Sequence, residues 1–485
     1  MVTGRSIRTT ALLAVAGLLA ACSSSGGDGG AASGTSEGRA LPPCPVAALD
    51  QATQPVEVVV WHSIQAKGKD TFDELAARYN ASQSRVRVRM ENVAATDEEL
   101  LQAFERAVPS RQLPALFVAN DTMTQTMVDS GVVLPAQSCV DATGYDLTPL
   151  SPTVRAYYTL DGVLWAASAN PGSVLVFYNK DHFRRAGLDP EKPPATLAEL
   201  RSDAEAIKRA GIVDTPFVHE VASYKTEFWL TGAHAPIVDN DNGRAAPASR
   251  GALADGSSTQ DLFTWFRDMK ADGLLQPIPV RVGGGIDQYL AMATQKASMI
   301  VESSSGATSV EAFLSGNLSG AAVGADGVGD VSGLDIGAGA LPGLQAPGRT
   351  QMGGPAWFIM STQPPEVQAA AWDFMTFMNG AEAQTKLLTG ASYLPYRTAV
   401  ADSPEAQAFF DGSLAGGWLR IANQQVSEID PAFPGPLIGP YDQVRLALRD
   451  GLAAVLFDDR PPADAVRDTD TAIDDALRQY GKGGF

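Results

Sequence analysis

After Pro55 the run Val56-Glu57-Val58-Val59-Val60 is β-branched and bounded by proline, the pattern of a buried strand. Phe72, Leu75, Ala76 and Tyr79 then recur at helical spacing, and Val86, Val88 and Met90 alternate with Arg87 and Arg89 as a half-exposed strand. Thr96-x-x-Glu99 is a capping box opening a helix with Leu100, Leu101, Phe104 and Ala107 on one side. Pro114 precedes a third apolar run, Ala115 to Ala119. Strands separated by helix-length crossovers cannot pair as tight hairpins. The order therefore predicts an α/β fold whose mainly parallel sheet is covered by helices on both faces.

The same order returns further on. Ser173 to Tyr178 reads as a strand, and Thr196-x-x-Glu199 caps a helix that Gly211 closes after Leu197, Leu200, Ala204 and Ile207. Leu262, Phe263, Trp265, Phe266 and Met269 mark a buried helix, and Ala297 to Val301 reads as a strand leading into Glu302-Ser303-Ser304-Ser305-Gly306. Asp239-Asn240-Asp241-Asn242-Gly243 has the look of a calcium loop, but its glycine is fifth instead of sixth and no glutamate closes it, so a hairpin turn is expected. Gly316 to Gly348 is glycine-rich and irregular apart from a short strand near Asp335 to Leu341, and from Pro365 onward the chain is mainly helical. At roughly 150 residues per domain, 485 residues make two or three folded units.

Arg5 and Arg8 precede the apolar run Ala11 to Ala21, too short to span a hydrocarbon core of roughly 30 Å as a helix. Residues 1–21 read as an export signal. The junction Leu19-Ala20-Ala21-Cys22 resembles the lipobox of bacterial lipoproteins, which implies acylation of the Cys22 thiol and a membrane contact made through the lipid alone; the alternative is an ordinary signal whose cleavage site precedes a cysteine. Residues 22–43, polar and Ser/Gly-rich, are expected to be a tether. Cys44 and Cys139 remain as an even pair, which fits either a disulfide or two free thiols in an exported protein.

Export would remove two arginines and take the net charge from −19 to −21, which argues against a nucleic-acid partner. With four histidines, three cysteines, no CxxC and no HExxH, no metal or cofactor is expected. Catalytic patterns also fail. Gly34-Thr35-Ser36-Glu37-Gly38 matches the nucleophile elbow GxSxG but lies in the tether, and Gly327-Val328-Gly329 and Gly337-Ala338-Gly339 each reach a third glycine one residue late for GxGxxG. The chain is therefore read as a binding protein without catalytic residues. A hydrolase using two carboxylates and a structural surface protein are the competing classes.

Open α/β sheets bind ligands at the carboxyl ends of their strands. Three ends carry polar or aromatic groups: Trp61-His62-Ser63, Asn120-Asp121, and Glu302 to Gly306. Singly each reads as a surface turn, and together they point to a cleft.

Tyr178-Asn179-Lys180-Asp181, the stretch from Ala186 to Leu200, MIVESSSG from Met299 to Gly306, and Gly353-Gly354 resemble the family 1 extracellular solute-binding proteins of ABC importers. WHS at Trp61 to Ser63, PALF at Pro114 to Phe117, TQTM at Thr124 to Met127 and Tyr393-Leu394-Pro395 are most similar to the glycerol-3-phosphate-binding branch. The resemblance implies a two-lobed fold that closes like a flytrap on crossing hinge segments. It divides the chain into lobe 1 at 45–168 plus 355–395 and lobe 2 at 170–352 plus 397–485. It also implies an extracellular monomer that works with ABC permease subunits and a cytoplasmic ATPase.

Carried over residue by residue, the branch's ligand contacts fall on Asp121, Gly172 beside Ser173, Ser304 and Ser305, Gly354 and Tyr393. Its phosphate-binding Arg falls on Leu437, a first-lobe Tyr on Asp97, and its Trp pair near Glu220 and Ser223, with Tyr224 and Trp229 close by. Ala391 and Ser392 are extra residues between Gly390 and Tyr393. From the chemistry of the residues, Ser63 and Asp121 suit hydroxyl groups, the backbone from Ser304 to Gly306 can hold an oxygen, and Trp61, Trp229 and Tyr393 offer flat apolar faces. With Leu437 in place of Arg, a phosphate monoester is expected to bind poorly. A glycerophosphodiester ranks first and a sugar or oligosaccharide second.

Overall fold

In the computed structural model, residues 41–280, 287–315 and 334–483 are described. The signal at 1–21, Cys22, most of the tether with its Gly34 to Gly38 pattern, and Gly327 to Gly329 lie outside them.

Thirteen strands are present among the described residues: β1 (Val56–His62), β2 (Val86–Asn92), β3 (Leu116–Ala119), β4 (Val133–Leu134), β5 (Thr159–Leu160), β6 (Val163–Leu164), β7 (Ser168–Ala169), β8 (Val174–Asn179), β9 (Phe217–Glu220), β10 (Leu275–Ile278), β11 (Met299–Ser303), β12 (Ile336–Ala340) and β13 (Ala356–Met360). Two sheets carry the fold, in the orders β2-β1-β3-β13-β4, with β7 on β13, and β10-β9-β11-β8-β12, while β5 and β6 form a separate hairpin.

The helix between β1 and β2, Ala66–Ser82, buries Phe72, Leu75, Ala76 and Tyr79, the residues whose spacing marks its inner face. Both capping boxes form. Thr96 accepts from Glu99 N–H while the Glu99 carboxylate accepts from Ala95 N–H, and Thr196, Glu199 and Ala195 repeat the arrangement.

Each sheet is mainly parallel, as expected, with one reversed strand. β1 runs parallel to β2 and β3, and β9 to β10 and β11, but β13 is antiparallel to β3, β4 and β7, and β8 is antiparallel to β11 and β12. The reason is where these two strands come from. β8 follows β7 out of the first sheet and β13 follows β12 out of the second, so each enters its sheet from the end at which the parallel strands finish. The two crossing segments run side by side, with Gly172 N–H to Gly353 C=O at 2.7 Å and Gly353 N–H to Gly172 C=O at 3.1 Å. Asp239 to Gly243 is a left-handed turn and not a hairpin: Asn240, Asp241 and Asn242 all have positive φ, and a single bridge joins Val238 to Gly251. Asn242 Oδ1 accepts from Ile237 and Val238 N–H, the local bonding that lets Asn and Asp adopt this backbone.

Phe72, Phe104, Phe117, Trp357 and Phe374 fill the core of the first sheet. Phe183, Trp229, Phe263, Phe266 and Leu448 fill the outer face of the second. Each such side chain contributes about 1.5–3 kcal/mol on burial. His219, on β9, sits in that second core between Phe266 and Trp229, with ring centroids at 4.8 and 5.5 Å and no hydrogen-bond partner on either ring nitrogen among the described residues. Burial, helped by Lys225, holds its pKa well below 6.5. Between that value and 6.5 the unfolded chain binds the extra proton, so stability is lost as pH falls below 6.5. His219→Phe keeps the ring packing and is expected to recover about 2 kcal/mol at pH 5 while changing little at pH 7.5. Urea midpoints at both pH values test this, and an equal acid loss in variant and native protein would refute it.

Candidate functional site

A cavity of about 540 Å³ opens where β1, β3 and β11 end and the crossing segments pass. Its walls come from both sheets. Ser63, Asp97, Asn120 and Asp121 line it from the first, Tyr224, Phe228, Glu302, Ser303, Ser305 and Gly306 from the second, and Gly172, Ser173, Gly353, Gly354 and Tyr393 lie between.

Asp121 is buried at 2% exposure at the start of a 3-10 turn after β3. Its Oδ1 accepts from Gly354 N–H at 3.2 Å and its Oδ2 from Arg445 Nη2 at 3.0 Å. Arg445 is itself buried on the helix Tyr441–Phe457 and donates through Nε to Glu227 Oε2 at 2.5 Å. Glu227 also takes Tyr441 OH at 2.7 Å and the Gln351 amide. Desolvation pushes the Asp121 carboxyl up to about 6, against the pull of the Arg445 charge.

A second acid-base-acid group lies on the opposite wall. Lys225, fully buried, pairs with Glu302 Oε2 at 3.0 Å and Glu220 Oε2 at 3.6 Å. Glu302 further accepts from Ser303 N–H at 2.7 Å, Tyr224 OH and the Gln288 amide. Burial and the neighbouring Glu302 raise the Tyr224 pKa well above 10. Asp97, Asp121, Glu302 and Arg445 thus line the cavity, with Glu220, Glu227 and Lys225 buried behind them.

Ser63, Asp121, Gly172, Ser173, Tyr224, Ser305, Gly306, Gly354 and Tyr393 line the cavity, and Trp61, Trp229 and Ser304 do not. Trp61 packs beside the first core and donates from Nε1 to Glu91 on β2 at 2.9 Å, its cross-strand register partner. Trp229 is a core residue whose Nε1 donates to Pro342 C=O at 2.9 Å. Ser304 turns inward, its Oγ accepting from Ser173 N–H at 3.1 Å, and its neighbours Ser303 and Ser305 face the space instead. Ser173 Oγ is held by Gln425 Nε2 at 2.5 Å. Gly354, at φ +113°, carries no side chain because a Cβ there would lie 2.3 Å from Asn170 C=O. Cys44 and Cys139 are joined in a disulfide.

Leu437 is buried outside the cavity wall, and its N–H donates to Asn242 C=O at 2.9 Å. The cleft nevertheless has a guanidinium, from Arg445, a residue that no motif in the sequence singled out. The signal for Arg445 was present in the sequence: it sits among Tyr441, Val444 and Leu448, on the buried face of its helix. Among the described residues no three His, Cys, Asp or Glu are grouped to hold a metal ion, and no helix is long and apolar enough to cross a membrane.

Two α/β lobes joined by crossing segments around a polar cavity define the two-lobed binding-protein fold. The match to the bacterial extracellular solute-binding protein family runs over residues 74–409, more than half of the chain, and the chain belongs to that family. It is 26% identical over 439 residues to the sn-glycerol-3-phosphate-binding periplasmic protein UgpB of Brucella melitensis, covering 88% of this chain and 93% of that one. Identity to the Rhizobium meliloti protein of the same name is 26% over 370 residues, 74% of this chain and 80% of that one. Among solved structures, the cyclic alpha-maltosyl-1,6-maltose binding protein from Arthrobacter globiformis superposes with a TM-score of 0.69 at 20% identity, covering 88% of this chain and all of that one. UgpB from Mycobacterium tuberculosis, in complex with glycerophosphocholine, gives 0.69 at 17% identity over 88% of this chain and 99% of that one. The family and these relatives are binding proteins by description.

Proposed function

We propose that this protein is the capture component of an ABC importer, taking a small hydroxyl-rich solute into the inter-lobe cavity and handing it to permease subunits driven by a cytoplasmic ATPase. Lipidation at Cys22 would hold it, as a monomer, on the extracellular face of the membrane, with lobes divided as 45–168 plus 355–395 and 170–352 plus 397–485. The observation that carries the ligand reading is the charge of the walls. Three carboxylates against one cation in the lining, with Glu220, Lys225 and Glu227 buried behind them, oppose a phosphate monoester dianion. They accept readily from hydroxyl groups. Arg445 adds one cationic face to the cavity, which favours a glycerophosphodiester with its single phosphate charge. A neutral sugar is the second reading, favoured because that guanidinium is already bonded to Asp121 and Glu227.

Titration calorimetry with glycerol 3-phosphate, glycerophosphocholine and a panel of di- and trisaccharides tests the reading. A diester or sugar is expected to bind most tightly, with no product released on long incubation. Tightest binding of glycerol 3-phosphate would overturn the ligand class, and sustained turnover abolished by a point mutation would overturn the binding role. Cys22→Ala is expected to move the protein from the membrane to the soluble fraction, and an unchanged membrane fraction would remove the anchor.

A further inference from the structure

Asp97 differs from the other acidic residues of the cavity wall. Asp121 has Arg445 and Glu302 has Lys225, but among the described residues no cation pairs with Asp97. Its carboxylate is held in place by two neutral donors, Ser63 Oγ at 2.5 Å on Oδ1 and the Asn120 amide on Oδ2. Asp97 is the first residue of the helix Asp97–Ala107, where the helix end favours a negative charge, so the carboxylate is aimed by neutral groups alone. Beside it, Asn120 Oδ1 is a buried acceptor in the same wall with no hydrogen-bond partner among the described residues. The charge of Asp97 is felt across the site: after burial itself, it is the cause that raises the Tyr393 hydroxyl, and it adds to the rise of Asp121.

A first-lobe wall with an uncompensated carboxylate, an orphan acceptor and only donors behind them is half of an ion pair. We infer that the solute carries a cationic group, an amine or quaternary ammonium, and that Asp97 is the residue that selects for it, with Asn120 Oδ1 taking a neighbouring hydroxyl or N–H. This rests on the reading of the cavity as a polyol site and adds the charge class of the polyol. Both ligand families named above contain such members, a zwitterionic diester and an amino sugar, and each has a partner of the same skeleton lacking the cation.

The experiment uses those matched pairs on the native protein: glycerophosphocholine against glycerophosphoglycerol, and a glucosamine disaccharide against the corresponding glucose disaccharide, by titration calorimetry at low and at physiological ionic strength. The cationic member of whichever pair binds is expected to be tighter by about tenfold or more, with the preference narrowing as salt rises. Asp97→Asn keeps an acceptor for Ser63 and is expected to erase most of that preference, read as the ratio of the two affinities within each pair. Equal or tighter binding of the non-cationic members would overturn the role of Asp97 with the polyol site intact, as would a preference that survives Asp97→Asn. Binding of none of the four would remove the polyol reading and this inference with it. The native-protein comparison decides the charge class even if Asp97→Asn does not fold.

Discussion

Arg445→Met is expected to lower the stability of the protein by about 3–5 kcal/mol, seen as a lower urea midpoint at unchanged slope. The side chain links the helix Tyr441–Phe457 to two carboxylates, Asp121 at the end of β3 and Glu227 on the helix Ser223–Gly232, and all three groups are buried. Methionine replaces the volume but leaves two acids out of water without a counter-ion. The Asp121 carboxyl, which burial already raises to about 6 against the pull of Arg445, would rise further, so folding binds protons and the deficit shrinks as pH falls toward 5. Arg445→Lys keeps the charge but not the fork and should fall between the two. A loss below 1 kcal/mol for Arg445→Met at pH 7.5 would show that water reaches the triad.

Removing the Cys44–Cys139 bond is expected to cost about 2–4 kcal/mol, because it closes 95 residues and frees the unfolded chain when cut. Both sulfurs are buried beside the first core, and Cys139 lies on the helix Ala136–Thr143. A Cys44→Ser, Cys139→Ser double variant avoids new thiol chemistry. Its melting curve should match that of the native protein in reductant, and identical curves for oxidised and reduced native protein would show that the bond contributes nothing.

What could be read without coordinates was whatever is local in the chain. The Val56 to Val60 strand, the Phe72 to Tyr79 helix face and both capping boxes depend on residues within one or two turns of one another, and all formed. Strand ends pointed to the cleft but could not say which side of a strand faces it, which is why Trp61 packs beside the core and Ser304 turns inward while Ser303 and Ser305 face the ligand space. The antiparallel entry of β8 and β13 depends on which sheet the chain has just left, and periodicity carries no trace of that. Arg445 was hidden for the same reason, since its partners lie 218 and 324 residues away in the chain.

The placement of β13 also sets a timetable. It separates β3 from β4 in the first sheet, yet it begins 300 residues after β1 does. At about 5–20 residues per second, a ribosome takes roughly 15–60 s to cover that distance. Through that interval β3 presents an open edge, and the sheet cannot be completed by anything already made. Pairings over such sequence separations are slow even in a finished chain, so the nascent protein depends on whatever holds its exposed strands apart from other chains. No amino-terminal fragment that stops short of Arg445 contains the whole cavity wall, and the complete site therefore arrives all at once, only after Arg445 has been made.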